Sequence, residues 1–114
     1  MTVYNMITNI PNLEPENTLK LNTDKLIHFL TEIGNGYRRS VQYHNDLHGC
    51  DVAQSMYMFL TKGNLGHICS LSYLDMISAL TAAACHDFDH DGFNNSYHVK
   101  FMTDRAIRSN DKAV

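Results

Sequence analysis

The sequence predicts an all-α fold, and two observations support this prediction. Apolar residues recur three and four positions apart in several segments, which is the period of a helix with one buried face. No segment shows the alternation of apolar and polar residues that is typical of half-buried strands. Because the chain has 114 residues and 44% hydrophobic content, it has enough material for one packed domain.

The amino-terminal part of the chain is expected to be irregular. Residues 1–22 contain both prolines and no sustained period, so we interpret them as a lead-in to a domain over residues 23–114. The first helix is predicted to begin at Thr23 and to end at Gly34. Its apolar positions are Leu26, Ile27, Leu30 and Ile33, and the leucines of the lead-in expected to dock onto the body are Leu13, Leu19 and Leu21.

Two longer helices are predicted in the middle of the chain. One covers residues 45–61, and its core-facing stripe is predicted to contain His48, Val52, Met56, Phe59 and Leu60. The other begins near Ser72, whose hydroxyl can form a capping box with Asp75, and continues to the pair His86-Asp87. After Gly92 breaks the pattern, short helices are predicted to be capped by Asn94 or Asn95 and by Thr103 or Asp104.

Composition excludes several classes of function. The formal net charge of −3 offers no basic surface for nucleic acid or for an anionic membrane. The three cysteines lack the spacing of a zinc knuckle and are an odd number for a disulfide framework. No apolar run approaches the roughly 18 residues of a membrane span. We therefore expect a soluble, cytoplasmic protein without a membrane segment.

Five side chains form the candidate metal site of this sequence. His44 and His48 are four residues apart, as are His86 and His90, and residues at that spacing share a helix face. Asp87 follows an apolar helix, where an unpaired carboxylate is costly and a cation would neutralise it. Imidazole and carboxylate together suit divalent ions such as zinc, manganese or iron, so the pattern predicts metal-assisted hydrolysis. His28, His67 and His98 lack partners at useful spacing, and no role is predicted for them.

Two segments resemble the signatures of a known enzyme family. The sequence YHNDLHGCDVAQ at residues 43–54 is similar to the first signature of the class I 3′,5′-cyclic nucleotide phosphodiesterase catalytic domain, and ACHDFDHDG at residues 84–92 is similar to the second. Residues 109–114 resemble the segment that precedes the family's next histidine pair. The resemblance therefore implies a partial multi-helix catalytic domain of the HD type.

The resemblance also implies a role for each matching residue. His44 matches the general acid that protonates the leaving O3′ of the ribose. His48, His86 and Asp87 match ligands of a tightly held ion, usually zinc, and Asp87 also matches the carboxylate that reaches a second ion, usually magnesium or manganese. His90 matches a histidine beside the phosphate, and Tyr43 matches a tyrosine that lines the substrate pocket.

The implied substrate is a 3′,5′-cyclic nucleotide, cAMP or cGMP, which would be hydrolysed to the 5′-nucleoside monophosphate. The family domain is about three times as long and takes a further aspartate ligand and the residues that hold the base from later in the chain. We therefore expect an amino-terminal part of the domain that is inactive without the carboxyl-terminal part. Two alternatives remain open: another HD-type metal phosphohydrolase, and a non-catalytic helical module that binds a metal or a partner.

Overall fold

A computed structural model describes residues 2–11 and 20–112. Within these residues there are helices and no strand, so the predicted all-α fold is confirmed. None of the described helices is long and apolar enough to cross a membrane. The helices are α1 (Val3–Thr8), α2 (Thr23–Gly36), α3 (Asp46–Thr61), α4 (Leu65–Ile68), α5 (Tyr73–Cys85), α6 (Asn95–Lys100) and α7 (Asp104–Arg108).

Helices α3 and α5 pack against each other and form the framework of the molecule. Leu80 of α5 is fully buried, which is worth about 1.5–3 kcal/mol for a side chain of this size. Small residues on both helices, Gly49 and Ala53 on α3 and Ala84 on α5, are buried and allow the backbones to approach closely. Because the site residues lie on these two helices or in the loops that flank them, the packing of the helices determines where those residues meet.

Side-chain caps fix the beginnings of both framework helices. The Asn45 side chain accepts hydrogen bonds from the backbone N–H groups of Leu47 and His48 at the start of α3. Ser72 and Asp75 form a capping box at the start of α5, as predicted. The hydrogen bonds from Ser72 also lower the pKa of the Asp75 carboxyl below its ordinary value.

The expectation of an irregular lead-in is wrong for its first residues, because Val3–Thr8 forms helix α1. Met6 and Ile7 on this helix and Ile10 just after it are 0%, 1% and 5% exposed and lie in the main hydrophobic core. A helix of six residues is too short to show a period in the sequence, yet this segment places three apolar side chains on the framework. Leu21 also packs against the core, whereas Leu13 and Leu19 lie outside the described residues.

One residue of the predicted α3 stripe faces solvent. Phe59 is 63% exposed, whereas its neighbour Leu60 is 4% exposed. Successive helix residues are rotated by about 100°, so only one of these two side chains can face α5. The buried residues of α3 are Gly49, Ala53 and Leu60, and their spacing of four and seven matches one face of the helix, from which Phe59 is displaced.

Candidate metal and phosphate site

Three side chains from α3 and from the end of α5 converge on one point. The Nε2 atom of His48 lies 3.3 Å from the Nε2 atom of His86 and 3.3 Å from the Oδ2 atom of Asp87. The Nε2 atom of His86 lies 3.0 Å from the same carboxylate oxygen. These residues form the group of potential metal donors found in the described part of the chain. Their predicted convergence is therefore observed, and their role as metal ligands stays a prediction.

The distances between the three donors fit a single small divalent cation. Donors bound about 2.0–2.1 Å from a tetrahedral ion lie about 3.3–3.4 Å from one another, and the three observed separations are close to that value. The Nδ1 atom of His86 lies 2.8 Å from the carbonyl oxygen of Ala83, which favours the Nδ1-protonated tautomer. The Nε2 atom of His86 therefore presents a lone pair toward the cluster.

Tyr37 fixes the chain segment that carries His86 and Asp87. Its hydroxyl donates a 2.8 Å hydrogen bond to the carbonyl oxygen of Ala84 and accepts a longer, 3.4 Å bond from the backbone N–H of Asp87. Burial raises the pKa of the Tyr37 hydroxyl, and the nearby charge of Asp87 adds to this effect, although the Asp87 N–H acts in the opposite direction. Tyr37 therefore stays protonated and continues to donate at neutral pH.

A second cluster of rings lies beside the three donors. The imidazole rings of His44 and His90 are stacked with centroids 4.1 Å apart and an interplanar angle of 17°. His44 also makes an edge contact with the ring of His48, at a centroid distance of 5.7 Å, so that it borders the donor group. Tyr43 is 64% exposed and packs against the rings of both His44 and His48.

The prediction that each histidine pair lies on one helix face is wrong, although side chains of the two pairs do contact each other. Helix α3 begins at Asp46, after His44, and α5 ends at Cys85, before both His86 and His90. The loops that flank the helices bring these side chains together instead. A motif match detects such an arrangement, whereas periodicity cannot.

The loop after α5 contains a reversal that returns His90 toward His44. Asp89 has a left-handed backbone (φ 58°), a conformation that aspartate tolerates better than most residues. Its carboxylate forms a 2.7 Å ion pair with Arg38, and this hydrogen bond lowers the pKa of the Asp89 carboxyl. Gly92 is also left-handed (φ 92°), a conformation that glycine adopts without strain.

His98 has a structural role that was not predicted from the sequence. It is buried, at 4% exposure, and its Nδ1 atom lies 3.0 Å from the Thr103 hydroxyl oxygen. Its Nε2 atom lies 3.3 Å from the Oδ2 atom of Asp91, and Arg105 reaches the same oxygen at 3.3 Å. The separation of seven residues between Asp91 and His98 gives no recognisable motif, so only the fold connects them.

A cleft adjoins the stacked imidazoles and provides room for a ligand. Its volume is ≈ 610 Å³, within the range of small-molecule sites, and it is open on one side. The lining consists of His44, His90 and residues 92–96, including the aromatic side chain of Phe93. His44 therefore borders both the cleft and the ring of His48.

Known proteins match this chain over most of its length. The sequence model of the 3′,5′-cyclic nucleotide phosphodiesterase family matches residues 43–114. The chain is 35% identical over 103 residues to the 3′,5′-cyclic-nucleotide phosphodiesterase regA of Dictyostelium discoideum, covering 90% of this chain and 13% of that protein.

Two further relatives have the same level of identity. The dual specificity calcium/calmodulin-dependent 3′,5′-cyclic nucleotide phosphodiesterase 1B of Mus musculus is 35% identical over 83% of this chain and 18% of its own length. The probable 3′,5′-cyclic-AMP phosphodiesterase pde-4 of Caenorhabditis elegans is 35% identical over 85% of this chain and 14% of its own length. The chain thus spans less than a fifth of these relatives. Because the family match includes both histidine motifs and more than half of the residues, the chain belongs to the 3′,5′-cyclic nucleotide phosphodiesterase family.

Proposed function

We propose that the three metal donors and the His44–His90 pair form the metal- and phosphate-binding part of an active site. This site would hydrolyse 3′,5′-cyclic nucleotides, cAMP or cGMP, to 5′-nucleoside monophosphates. The observation that carries the proposal is the convergence of His48, His86 and Asp87 at 3.0–3.3 Å beside the His44–His90 pair. Family membership supports the reaction type. The proposal extends to the native gene product that contains these 114 residues.

The three donors would hold one divalent cation, which we propose to be zinc. Two imidazoles and one carboxylate are a donor set that zinc accepts, and positions remain for further ligands. Asp87 offers a second carboxylate oxygen, through which it would also reach a magnesium or manganese ion. When bound, such cations stabilise negative charge on phosphoryl oxygens and lower the pKa of water.

His44 would act as the proton donor. Hydrolysis adds a water oxygen to phosphorus and breaks the bond between phosphorus and O3′, and the departing O3′ then needs a proton. An imidazole suits this task because its unperturbed pKa of about 6.5 permits proton donation near neutral pH. His44 borders both the cleft and the donor group without being one of the three donors, which matches this role.

His90 and Tyr43 would bind and orient the substrate. The ring of His90 lies flat against that of His44, so it limits the directions in which the donor can point. The ring of Tyr43 makes an edge contact with the ring of His44 at a centroid distance of 4.9 Å. Together the two side chains would hold His44 in line with a phosphate that occupies the cleft.

A metal titration of the 114-residue chain tests the first half of this proposal. We expect the chain to bind one zinc ion and Asp87→Asn to lose most of that affinity, measured by isothermal titration calorimetry. Asp89→Asn is the matched control, since Asp89 lies on the same loop but pairs with Arg38. Equal zinc affinity of the native chain and the Asp87→Asn variant would refute the metal assignment.

Hydrolysis is tested in the native gene product. We expect it to convert cAMP or cGMP to the 5′-monophosphate in the presence of divalent cations. Chelation should abolish this activity, and added zinc with magnesium should restore it. A product with a 3′-phosphate would mean that the other ester bond is broken and that His44 does not serve O3′.

A further inference from the structure

The loop between α5 and α6 takes part in two sets of contacts. One set lies at the edge of the cleft, and the other lies against α6 and α7. On one side, His90 stacks on His44 at the edge of the cleft. On the other side, Asp91 is held by the buried His98 of α6 and by Arg105 of α7, each at 3.3 Å from its Oδ2 atom. The adjacent residues His90 and Asp91 thus link the site to the last two helices.

A continuous series of bonds passes between these two sets. The Oδ1 atom of Asp91 accepts a 3.0 Å hydrogen bond from the backbone N–H of Phe93. This bond closes the turn that contains Gly92, whose own N–H donates a 2.9 Å bond to the Nδ1 atom of His90. Val41 packs against the Gly92 backbone and limits its movement on the other side, since a Cβ atom there would lie 3.3 Å from Val41.

The bond from Gly92 determines the protonation pattern of the His90 ring. An atom that accepts an N–H cannot itself carry a hydrogen, so the Nδ1 atom of His90 is unprotonated. In the neutral ring the proton must then be on Nε2. The same bond fixes the rotation of the ring about its side-chain axis and hence its parallel stacking on His44.

We propose that Asp91, clamped by His98 and Arg105, is a positioning residue that holds the His90 imidazole against His44 in its Nε2-protonated form. Among the described residues no hydrogen bond or ion pair joins Asp91 to His44 or to the three metal donors, so we infer that it acts through the turn at Gly92. The proposal deepens the proposed function and depends on it, because the position of His44 matters for catalysis only if His44 faces the substrate.

The charges around Asp91 keep its carboxyl ionised, so that its contacts with His98 and Arg105 persist at neutral pH. Burial opposes ionisation of its carboxyl, but the hydrogen bond from Phe93 and the charges of Arg105 and His98 outweigh this effect and lower its pKa. Asp91 is therefore ionised at neutral pH, and Arg105 forms an ion pair with it at 3.3 Å. The buried Nε2 atom of His98 lies 3.3 Å from the same oxygen, although the contact does not have hydrogen-bond geometry. The two aspartates of the loop differ in exposure, since 18% of the Asp91 side chain is accessible and 55% of the Asp89 side chain, whereas their partners Arg105 and Arg38 are exposed to a similar extent.

Imidazole nitrogen–proton correlation spectra of the ¹⁵N-labelled 114-residue chain, without metal or substrate, test the proposal. The spectra are recorded at about pH 8. We expect the native chain to show His90 as the Nε2–H tautomer and nuclear Overhauser contacts between the His44 and His90 rings. Asp91→Ala should lose both signals, with His90 becoming a mixture of tautomers.

Two further variants keep the test decisive if Asp91→Ala fails to fold. Arg105→Met removes one partner of Asp91 from a half-exposed position while keeping most of the aliphatic packing, and we expect it to weaken both signals. Arg105→Lys restores the charge and should restore the signals in part. A purely structural role of the clamp would lower stability in Arg105→Met without changing the His90 tautomer of the folded chain.

Asp89→Asn is the matched control for the loop, since it removes the charge that pairs with Arg38 at 2.7 Å but keeps a residue type that tolerates the left-handed backbone. It should leave the tautomer and the ring contacts unchanged. The proposal is overturned if Arg105→Met and folded Asp91→Ala keep both native signals, or if Asp89→Asn loses them equally. Failure of the proposed function is separate, because it would appear as absent zinc binding with the spectra intact.

Discussion

The hydroxyl of Tyr37 donates a 2.8 Å hydrogen bond to the carbonyl oxygen of Ala84 across the interface between the loop after α2 and the end of α5. Tyr37 is 5% exposed, so this bond is shielded from water. It lies one turn before His86 and Asp87, and the same hydroxyl accepts the N–H of Asp87. The metal donors thus depend on a hydrogen bond made by a residue outside both histidine motifs.

Tyr37→Phe is expected to weaken both the fold and the site. It keeps the ring but leaves the Ala84 carbonyl and the Asp87 N–H without this partner, at a cost of about 1–3 kcal/mol in unfolding free energy. Urea denaturation measures that loss, and zinc titration should show reduced affinity because Asp87 is held less firmly. Unchanged stability and affinity together would mean that water replaces the hydroxyl at no cost.

The raised pKa of Tyr37 predicts that the folded chain becomes less stable at alkaline pH. The Tyr37 pKa is raised in the folded state from its ordinary value of 10.0, chiefly by burial. Its contribution is therefore fully present below pH 10.0 and is lost as pH rises through the higher folded pKa. Burial also raises the pKa of Cys85, which adds loss in the same direction. Urea midpoints measured at increasing pH should fall less steeply in Tyr37→Phe than in the native chain.

Asn45 is expected to stabilise the start of α3, the helix that carries His48. Its Oδ1 atom caps α3, and its Nδ2 group donates to the carbonyl oxygens of Val41 and Gln42. Asn45→Ala should cost about 1 kcal/mol in unfolding free energy through loss of the cap. Asn45→Asp keeps the capping oxygens but loses the donors, so it should recover the helix start and only part of the stability. Equal losses of unfolding free energy in the two variants would mean that Asn45 stabilises the chain through its bonds to the loop carbonyls and not through the helix cap.

The sequence predicts the framework well because its signals are local. Asn45, Ser72, Asn94 and Thr103 cap the helices that follow them, as their side-chain chemistry indicates. The motif resemblance also brings together residues that local rules cannot relate. His44 lies before α3 rather than on it, and the resemblance identifies it without any argument from helix geometry.

What the sequence could not predict depends on contacts between distant residues. The docking of Met6 and Ile7 requires the groove beside α3 and α5, which exists only in the folded chain. The link from Asp91 to His98 depends on the turn at Gly92 and on the angle at which α6 leaves it. Short elements of this kind have little intrinsic stability, and tertiary packing decides their conformation.

Two leucines of α5 provide a matched test of the framework. Leu80 is 0% exposed, whereas Leu74 is 58% exposed on the same helix. Leu80→Ala should lower the unfolding free energy by about 2–5 kcal/mol, since it removes buried apolar contacts and leaves a cavity. Leu74→Ala should change it by less than about 0.5 kcal/mol. Comparable losses in urea denaturation would show that α5 is covered on both faces in solution.

A comparison of His44→Ala with Asp87→Ala in the native gene product separates the proton donor from the metal ligands. His44 is proposed to act on O3′ without holding a cation, so its loss should lower kcat by about 10²–10⁴-fold while the metal content stays near normal. Asp87→Ala should remove metal and activity together, because the carboxylate is proposed to serve both cations. Metal content is measured by plasma mass spectrometry beside each assay.

A substrate with an activated leaving group makes this distinction independent of folding. A phosphodiester that releases p-nitrophenolate needs no proton on the departing oxygen, since this phenolate is a stable anion at neutral pH. It should therefore recover much of the activity lost in His44→Ala and none of that lost in Asp87→Ala. Equal metal depletion in the two variants would show that His44 is a ligand. A failure of the activated substrate to rescue His44→Ala at full metal content would assign the proton to another group, and His90, stacked 4.1 Å away, would be the next residue to test.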